Sequence, residues 1–308
     1  MGAELFLLHR PPRASYQDVM DAWLGSLDGQ GTKVTCRRAV DLAFKVMGRT
    51  DLDAVTAGDV AFFKSSMSAL KPATVGLRLA ALRGLFQYAV ATGVVSSHPT
   101  AAVKLPKVHL GSPRALTLAQ AKRIAAQVNI ETVVGKRDAA AIALLFGGLR
   151  VSEVAGLNVG GVRLEHQDGH TFTRVSVVGK GNKPRDVDLP PRVFELVQVY
   201  LGARPGPRDE AAPLLLATTT GFRQAPGRLP ANRIYRQLVS YARQANVKIS
   251  GSHVGRHTWA KLAEESGAKL MDVMAHLGHA NLNVTATYLR RLTGKRNPAS
   301  DAVPVVEP

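Results

Sequence analysis

The sequence predicts a mainly α-helical protein of two domains, with a small β-hairpin or sheet in the second. The chain has 308 residues, 45% of them hydrophobic, which suits about two domains of the usual size. Apolar residues recur at intervals of three and four over most of the chain, whereas residues 171–178 and 185–189 alternate as strands do. Residues 104–114 interrupt the helical pattern with two prolines and a glycine, and we expect them to link the domains.

The first domain, residues 1–103, is predicted to be a bundle of four helices. Thr56, followed three residues later by Asp59, is typical of a capped helix start. Several Lys and Arg residues would line the polar faces of the bundle, where they could contact phosphates. The spacing of apolar residues predicts the other three helices over residues 16–27, 34–47 and 75–91.

The second domain, residues 115–292, mixes helical and alternating patterns. Its two alternating segments flank the Gly-rich turn of residues 179–184, which predicts a β-hairpin. Residues 293–308, rich in proline and mixed in charge, are expected to form a flexible tail. Helices are predicted over residues 116–128, 136–147, 192–201, 232–245, 253–266, 270–277 and 284–292.

The composition points to a polyanionic partner. Forty Lys and Arg against 23 Asp and Glu give a net charge of +17 and a pI near 10.4, which favours nucleic acid over a membrane surface. Residues 1–105 carry 12 basic and 8 acidic residues, and residues 106–308 carry 28 and 15. The single cysteine, Cys36, excludes an intramolecular disulfide framework and fits a reducing compartment. No apolar run is long enough for a membrane span, so we expect a cytoplasmic, nucleoid-associated protein.

A dispersed set of residues could perform phosphodiester chemistry. His253 and Arg256, three residues apart, share one face of a predicted helix, and with Arg150 they could bind a phosphate through paired cationic donors. A tyrosine hydroxyl can attack phosphorus if neighbouring groups assist its deprotonation. Guanidinium groups would then stabilise the charge that develops in the transition state, and a metal ion becomes unnecessary.

The order and spacing of these residues resemble the tyrosine recombinase family, which includes the phage integrases and Xer-type recombinases. The similarity extends over residues 14–292, so it implies a SAM-like core-binding bundle followed by an α+β catalytic domain. Five boxes in order between residues 148 and 288 make it specific, although each box alone is weak. They are residues 148–153 (GLRVSE), 178–183 (VGKGNK), 253–258 (HVGRHT), 277–280 (LGHA) and 287–288 (TY).

The resemblance implies a role for each residue at the scissile phosphate. Arg150 and Arg256 would bind the phosphate, His253 and His279 would hydrogen-bond it and help to move protons, and Glu153 would support the site from behind.

The resemblance also implies how the strands are transferred. Tyr288 would be the nucleophile and would form a 3′-phosphotyrosyl link, while Lys180 on the hairpin would protonate the leaving 5′ hydroxyl. Because the link conserves the bond energy, neither ATP nor another cofactor is required. Four protomers would exchange strands at paired inverted-repeat core sites through a Holliday junction. An accessory DNA-bending or activating protein is a further partner that the resemblance allows.

Each residue also has a simpler interpretation. Arg150 could form a helix-end salt bridge with Glu153, and Lys183 competes with Lys180 for the role of leaving-group acid. His253 and His257 are four residues apart, but Val254 stands where a zinc protease has glutamate, so a metal site is not expected. His276 is expected to be a surface or packing residue.

Three other functions are compatible with parts of the sequence. A type IB topoisomerase-like enzyme would use the same chemistry and reseal the same strand. A catalytically idle protein could bind a DNA site without cutting it. A basic RNA-binding protein would fit the charge but would leave the ordered boxes unexplained.

Overall fold

The protein folds as two compact units, residues Met1–Leu110 and Gly111–Pro308. The structure, a computed structural model, describes residues 15–108, 114–179, 183–217 and 227–278. The division falls within the predicted linker, and the bounds 1–103 and 115–292 stay a prediction. The first part of this linker packs on the first unit, because Lys64 Nζ donates to Lys104 O at 2.9 Å.

The described part of the first unit contains four α-helices around one apolar core. The helix caps follow from the sequence: Thr56 and Asp59 form a capping box at the start of α3, and Pro72 occupies the first turn of α4. Gly84 allows close packing of α4 on α1, since a Cβ there would lie 2.7 Å from the Trp23 ring. The helices are α1 (Tyr16–Ser26), α2 (Gln30–Met47), α3 (Ala57–Ser65) and α4 (Pro72–Ala91).

The second unit packs helices against one face of a small antiparallel sheet. The three strands lie in the order β1-β2-β3, and Val175 at the centre pairs with Val162 on one side and Val187 on the other. This row of valines is buried together with α8. The strands are β1 (Val162–Gln167), β2 (His170–Val178) and β3 (Pro184–Leu189).

The described helices of the second unit surround a core centred on α6, which contributes Leu144 and Leu145. The helices predicted between residues 116 and 277 are confirmed, with shifts of a few residues at their ends; the one predicted over 284–292 and the tail of 293–308 lie outside the described residues. The helices are α5 (Leu118–Ala125), α6 (Val133–Phe146), α7 (Val151–Gly156), α8 (Pro191–Ala203), α9 (Ala231–Gln244), α10 (Val254–Glu265) and α11 (Leu270–Leu277).

Two elements were missed by the sequence pattern. The strand β1 alternates apolar and polar residues only over residues 162–165, which is too short a stretch to identify a strand, and it buries only Val162. The helix α7 has six residues, too few to show a helical period. The hairpin of β2 and β3 was predicted, and its closing hydrogen bond joins Gly179 N to Lys183 O at 2.8 Å.

A buried polar cluster ties α6 to α9. One carboxylate oxygen of Asp138 accepts from Arg137 Nε and Nη2 at 2.9 and 2.8 Å; the other accepts from Tyr241 Oη at 2.9 Å and Gln237 Nε2 at 3.2 Å. Arg137 Nη1 also donates to Leu216 O at 3.1 Å. We call Arg137, Asp138, Gln237 and Tyr241 the Asp138 cluster.

None of the helices in the described ranges has both the length and the apolar character that a membrane span needs.

Candidate active site

Arg150 is the residue before α7 and follows the turn of Gly147 and Gly148 by two residues. Gly148 has a φ of +92°, a left-handed conformation that favours glycine, and a Cβ there would lie 2.9 Å from His276 Nε2. Arg150 is the N-cap residue, and its backbone N–H donates to Glu153 Oε2 at 2.8 Å. The turn therefore presents the Arg150 side chain, which is 25% exposed, at the edge of the core.

The Glu153 carboxylate accepts hydrogen bonds from two guanidinium groups. Arg150 Nη1 donates to its Oε1 at 2.6 Å, while Arg185 Nη1 and Nη2 donate to Oε1 and Oε2 at 2.8 and 3.0 Å. Burial alone would raise the pKa of Glu153, but hydrogen bonds from Arg185 and Arg150 lower that pKa to about 2. The carboxylate therefore stays charged at neutral pH. We call Arg150, Glu153 and Arg185 the Glu153 cluster, which carries two positive charges and one negative charge.

Arg256 lies beneath the same turn and is only 3% exposed. Its Nη1 donates to Gly148 O at 3.1 Å, and its Nη2 donates to Leu277 O at the end of α11. Gly255 brings α10 close to α6, since a Cβ there would lie 2.5 Å from Leu145 O. Arg256 thereby holds the turn before Arg150 and the end of α11 together.

His253 lies at the N-cap of α10 and is exposed. Burial of part of the ring lowers its pKa, as do the charges of Arg256 and Arg150, while Glu153 acts in the opposite direction. These interactions place His253 within the field of the Glu153 cluster and Arg256. At neutral pH the imidazole is neutral and can donate or accept a hydrogen bond.

His257 and His276 are held inside the fold. Burial, together with His253 and Arg256, lowers the pKa of His257 to about 4. His276 stacks on Trp259 with ring centroids 3.5 Å apart, and its Nε2 donates to Gly147 O at 2.7 Å. Burial is the main cause that lowers the pKa of His276 to about 4. His276 is thus a packing residue, as predicted.

Of the site residues predicted from the sequence, the structure brings four together: Arg150, Glu153, His253 and Arg256. The salt bridge between Arg150 and Glu153, the simpler interpretation, is present as well. Among the described residues, no group of three or more His, Cys, Asp or Glu side chains is arranged to hold a metal ion. Lys180, His279 and Tyr288 lie outside the described residues, so their roles stay predictions.

Arg185 was missed by the sequence interpretation, which treated it only as part of a strand. A usable signal existed. Arg185, Val187 and Leu189 are two residues apart and therefore lie on the same face of β3. The side chains of Val187 and Leu189 are 1% and 3% exposed. An arginine on the core-facing side of a strand requires a buried partner, because an unpaired buried charge is costly. Glu153 is that partner.

Two guanidinium groups around one buried carboxylate, with a third guanidinium and a neutral imidazole beside them, form a site suited to an oxyanion such as a phosphate. The family model described as the phage integrase family matches residues 114–294, and the chain belongs to that family. Identification as a tyrosine recombinase is therefore confirmed, and the topoisomerase-like and catalytically idle alternatives are not favoured.

The chain is similar to Xer-type recombinases in particular. It is 29% identical over 227 residues to the tyrosine recombinase XerC of Proteus mirabilis, covering 73% of this chain and 70% of the relative. It is 30% identical over 226 residues to XerC of Myxococcus xanthus, covering 70% and 71%.

Two solved structures share the fold. The XerH site-specific recombinase bound to its difH substrate matches with a TM-score of 0.68 and 19% identity, covering 94% of both chains. A lambda integrase dimer bound to a COC′ core site matches with a TM-score of 0.68 and 15% identity, covering 96% of this chain and 85% of that one. The predicted mainly α fold with a small sheet is confirmed.

Proposed function

We propose that the chain is a site-specific DNA recombinase that cuts and rejoins duplex DNA through Tyr288. The observation that carries this proposal is the Glu153 cluster, which has one excess positive charge and includes the part-exposed Arg150. A scissile phosphate is the anion that fits such a site in this family. The net charge of +17 supports binding to DNA.

In the proposed mechanism, Arg150 and Arg256 stabilise the negative charge that develops on the phosphate oxygens. Preorganised donors are effective because they need no rearrangement at the moment of reaction. Arg150 is already fixed by Glu153 and partly exposed. Arg256 is buried and is fixed by hydrogen bonds to Gly148 O and Leu277 O.

The remaining steps depend mainly on Tyr288, Lys180 and His279, which lie outside the described part of the chain. Tyr288 would lose its hydroxyl proton to His253 or His279, attack phosphorus and form a 3′-phosphotyrosyl link as the bond from phosphorus to the 5′ oxygen breaks. The leaving oxygen would take a proton from Lys180 or Lys183. A 5′ hydroxyl of another strand would then attack the link and release Tyr288. His253, neutral at pH 7, could pass a proton to or from the phosphate oxygens, and His279 would take part in the same way.

The proposed partners are duplex DNA with paired inverted-repeat core sites and further copies of this chain. Four protomers would perform the two strand exchanges through a Holliday junction, and an accessory DNA-bending or activating protein belongs to the same proposal. Action on chromosomal or mobile DNA would place the enzyme in the cytoplasm, at the nucleoid.

A covalent trap tests the proposal. The wild-type protein and Tyr288→Phe are mixed with fragmented DNA of the source organism and quenched in detergent, and the DNA attached to protein is sequenced. We expect wild-type adducts at one short inverted-repeat site and none from Tyr288→Phe. Adducts scattered without a shared site would favour topoisomerase activity. Duplex binding without any adduct would contradict strand cleavage.

A modified leaving group distinguishes the two lysines. A 5′-thio leaving group is a weak base and needs little protonation when it departs. Lys180→Ala and Lys183→Ala are compared on the normal and the 5′-thio substrate. The variant that loses the general acid regains cleavage on the 5′-thio DNA, and we expect this of Lys180→Ala. Rescue of Lys183→Ala instead would assign the role to Lys183.

A further inference from the structure

Arg185 on β3 contacts parts of the chain that lead to three predicted catalytic residues. Its terminal nitrogens both donate to Glu153, which in turn fixes Arg150, and its Nε donates to His276 O near the end of α11 at 3.1 Å. All three nitrogens of the guanidinium are therefore engaged, in the planar fork that arginine provides and lysine does not.

Two glycines bring the neighbouring segments against this side chain. Gly278, which precedes His279, has a φ of +60°, and a Cβ there would lie 2.8 Å from Arg185 Cδ. Gly179, which precedes Lys180, would place a Cβ 3.3 Å from Arg185 Nη1. The residues immediately before the predicted general acid and before the second histidine thus both lie on Arg185.

The burial of Arg185 fits a structural constraint rather than a direct contact with DNA. Its side chain is 12% exposed, less than the 25% of Arg150. The ion pair that it forms with Glu153 is almost removed from water, since the Glu153 side chain is 3% exposed. A pair of this kind holds its geometry tightly, because any separation leaves a buried charge unpaired.

We propose that Arg185 is a positioning residue of the recombinase, which sets the orientation of Arg150 through Glu153 and fixes the chain entering Lys180 and His279. This inference rests on the proposed function. It adds a residue that acts at no atom of the DNA and that couples the hairpin, α7 and the end of α11. Loss of the side chain would displace several groups at once, and small displacements of reacting groups lower rates strongly.

Single-turnover cleavage of a nicked duplex carrying the trapped site tests the inference. We expect Arg185→Gln to lower the cleavage rate on the order of 10²-fold, the size of effect that a displacement of about 1 Å can cause. The Kd for the same duplex should change by less than about threefold, because the many phosphate contacts that set affinity remain. Arg185→Lys should restore part of the rate, since it can still pair with Glu153.

The matched control is Arg174→Gln. Arg174 lies on β2 of the same sheet and makes a comparable forked pair, with Nε and Nη2 donating to Asp188 at 3.0 and 3.3 Å. It also pairs with Glu165 at 2.7 Å, and it has no contact with the Glu153 cluster among the described interactions. Arg174→Gln should cleave at the wild-type rate.

The pH profile separates positioning from a general loss of stability. Glu153 faces Arg150, Arg185 and, through its charge, His253. Without Arg185, the pKa of Glu153 should rise, because burial still raises it and only the hydrogen bonds from Arg150 remain to lower it. The carboxyl group then takes up a proton and releases Arg150 at a higher pH than in the wild type, so cleavage by Arg185→Gln should begin to fall at a higher pH than wild-type cleavage. The double variant Arg185→Gln/Glu153→Gln should lack this shift.

The possible outcomes are distinct. Cleavage by Arg185→Gln at the wild-type rate, or a rate loss matched by Arg174→Gln, would overturn the inference and leave the proposed function intact. A proportional loss of DNA binding would instead indicate that Arg185 contacts DNA, which also contradicts it. If the wild-type protein forms no adduct under the same conditions, the proposed function fails and the inference fails with it.

Discussion

The Asp138 cluster and the Glu153 cluster, both in the described part of the second unit, differ in charge balance and exposure. In the Asp138 cluster, one arginine meets one aspartate, both side chains are under 5% exposed, and both carboxylate oxygens are satisfied within the fold. In the Glu153 cluster, two arginines share one carboxylate, and Arg150 remains part-exposed.

This difference distinguishes a cluster that stabilises the fold from a cluster that can bind a ligand. A neutral, saturated and buried cluster has no capacity to bind another ion, and it contributes to the fold by joining α6 to α9. A cluster with an excess positive charge at the protein edge can bind an anion at little additional cost of desolvation. The uncompensated charge near solvent, rather than the presence of an ion pair, therefore marks the candidate active site.

Among substitutions in the two clusters, that of Arg150 should give the largest effect on activity. Arg150→Ala removes the part-exposed guanidinium, and we expect cleavage to fall on the order of 10²- to 10³-fold, as with other transition-state donors. Glu153 keeps both hydrogen bonds from Arg185, so folding and DNA affinity should change little. Single-turnover cleavage, with the Kd measured in parallel, checks this. Unchanged cleavage would remove Arg150 from the active site.

Substitution in the Asp138 cluster should affect stability instead. Arg137→Met leaves the Asp138 carboxylate buried without its cation, and loss of one member of a buried pair costs about 3–5 kcal/mol. Urea denaturation measures the change in the free energy of unfolding. Adding Asp138→Asn should recover part of the loss, because no buried charge is then left unpaired. A variant as stable as the wild type would contradict a structural role for this cluster.

Acidification should destabilise the region around the candidate active site in two steps. The pKa values of His257 and His276 are lowered to about 4 in the fold, whereas those of the unfolded chain stay near 6.5. The unfolded chain therefore binds protons first, and stability falls as the pH drops from 6.5 toward 4.

The second loss of stability is due to protonation of Glu153. Its pKa of about 2 lies below the usual 4.5, so the stability it contributes is present above pH 4.5 and is lost as the pH falls toward 2. Thermal melts across this pH range, compared with those of His276→Gln, check both steps. His276→Gln should show a smaller loss between pH 6.5 and 4 while keeping the lower step. An identical curve for the variant would exclude His276 as a source.

The smallest effect is expected at the edge of the Asp138 cluster. Tyr241→Phe removes one hydrogen bond to Asp138, which typically costs about 0.5–1.5 kcal/mol. In the wild type, burial and the Asp138 charge raise the pKa of Tyr241 to about 12, so its tyrosinate signal should be absent from an absorbance titration below pH 11. Cleavage by Tyr241→Phe should be unchanged. A loss of cleavage would connect the two clusters.

Local sequence pattern predicted most of the fold, but not every element. Long amphipathic helices such as α4 are predicted by a helical spacing of apolar residues that persists over several turns. The six-residue helix α7, with Arg150 at its N-cap and Glu153 in its first turn, shows no period, and β1 buries only Val162. Their conformations are set by contacts with the rest of the second unit, which a window of neighbouring residues does not contain.

The sequence by itself determined the class of fold, the basic charge and the ordered boxes that identify the family. It also named Arg150, Glu153, His253 and Arg256, since residue types and spacing along the chain are sufficient for a family resemblance. Only the tertiary structure identified Glu153 as the partner of Arg185, because β3 and α7 are separated by about 30 residues along the chain but meet at a single carboxylate. Burial and hydrogen bonding then decided the charge states of Glu153 and His276, because a pKa depends on every group that surrounds the side chain in space.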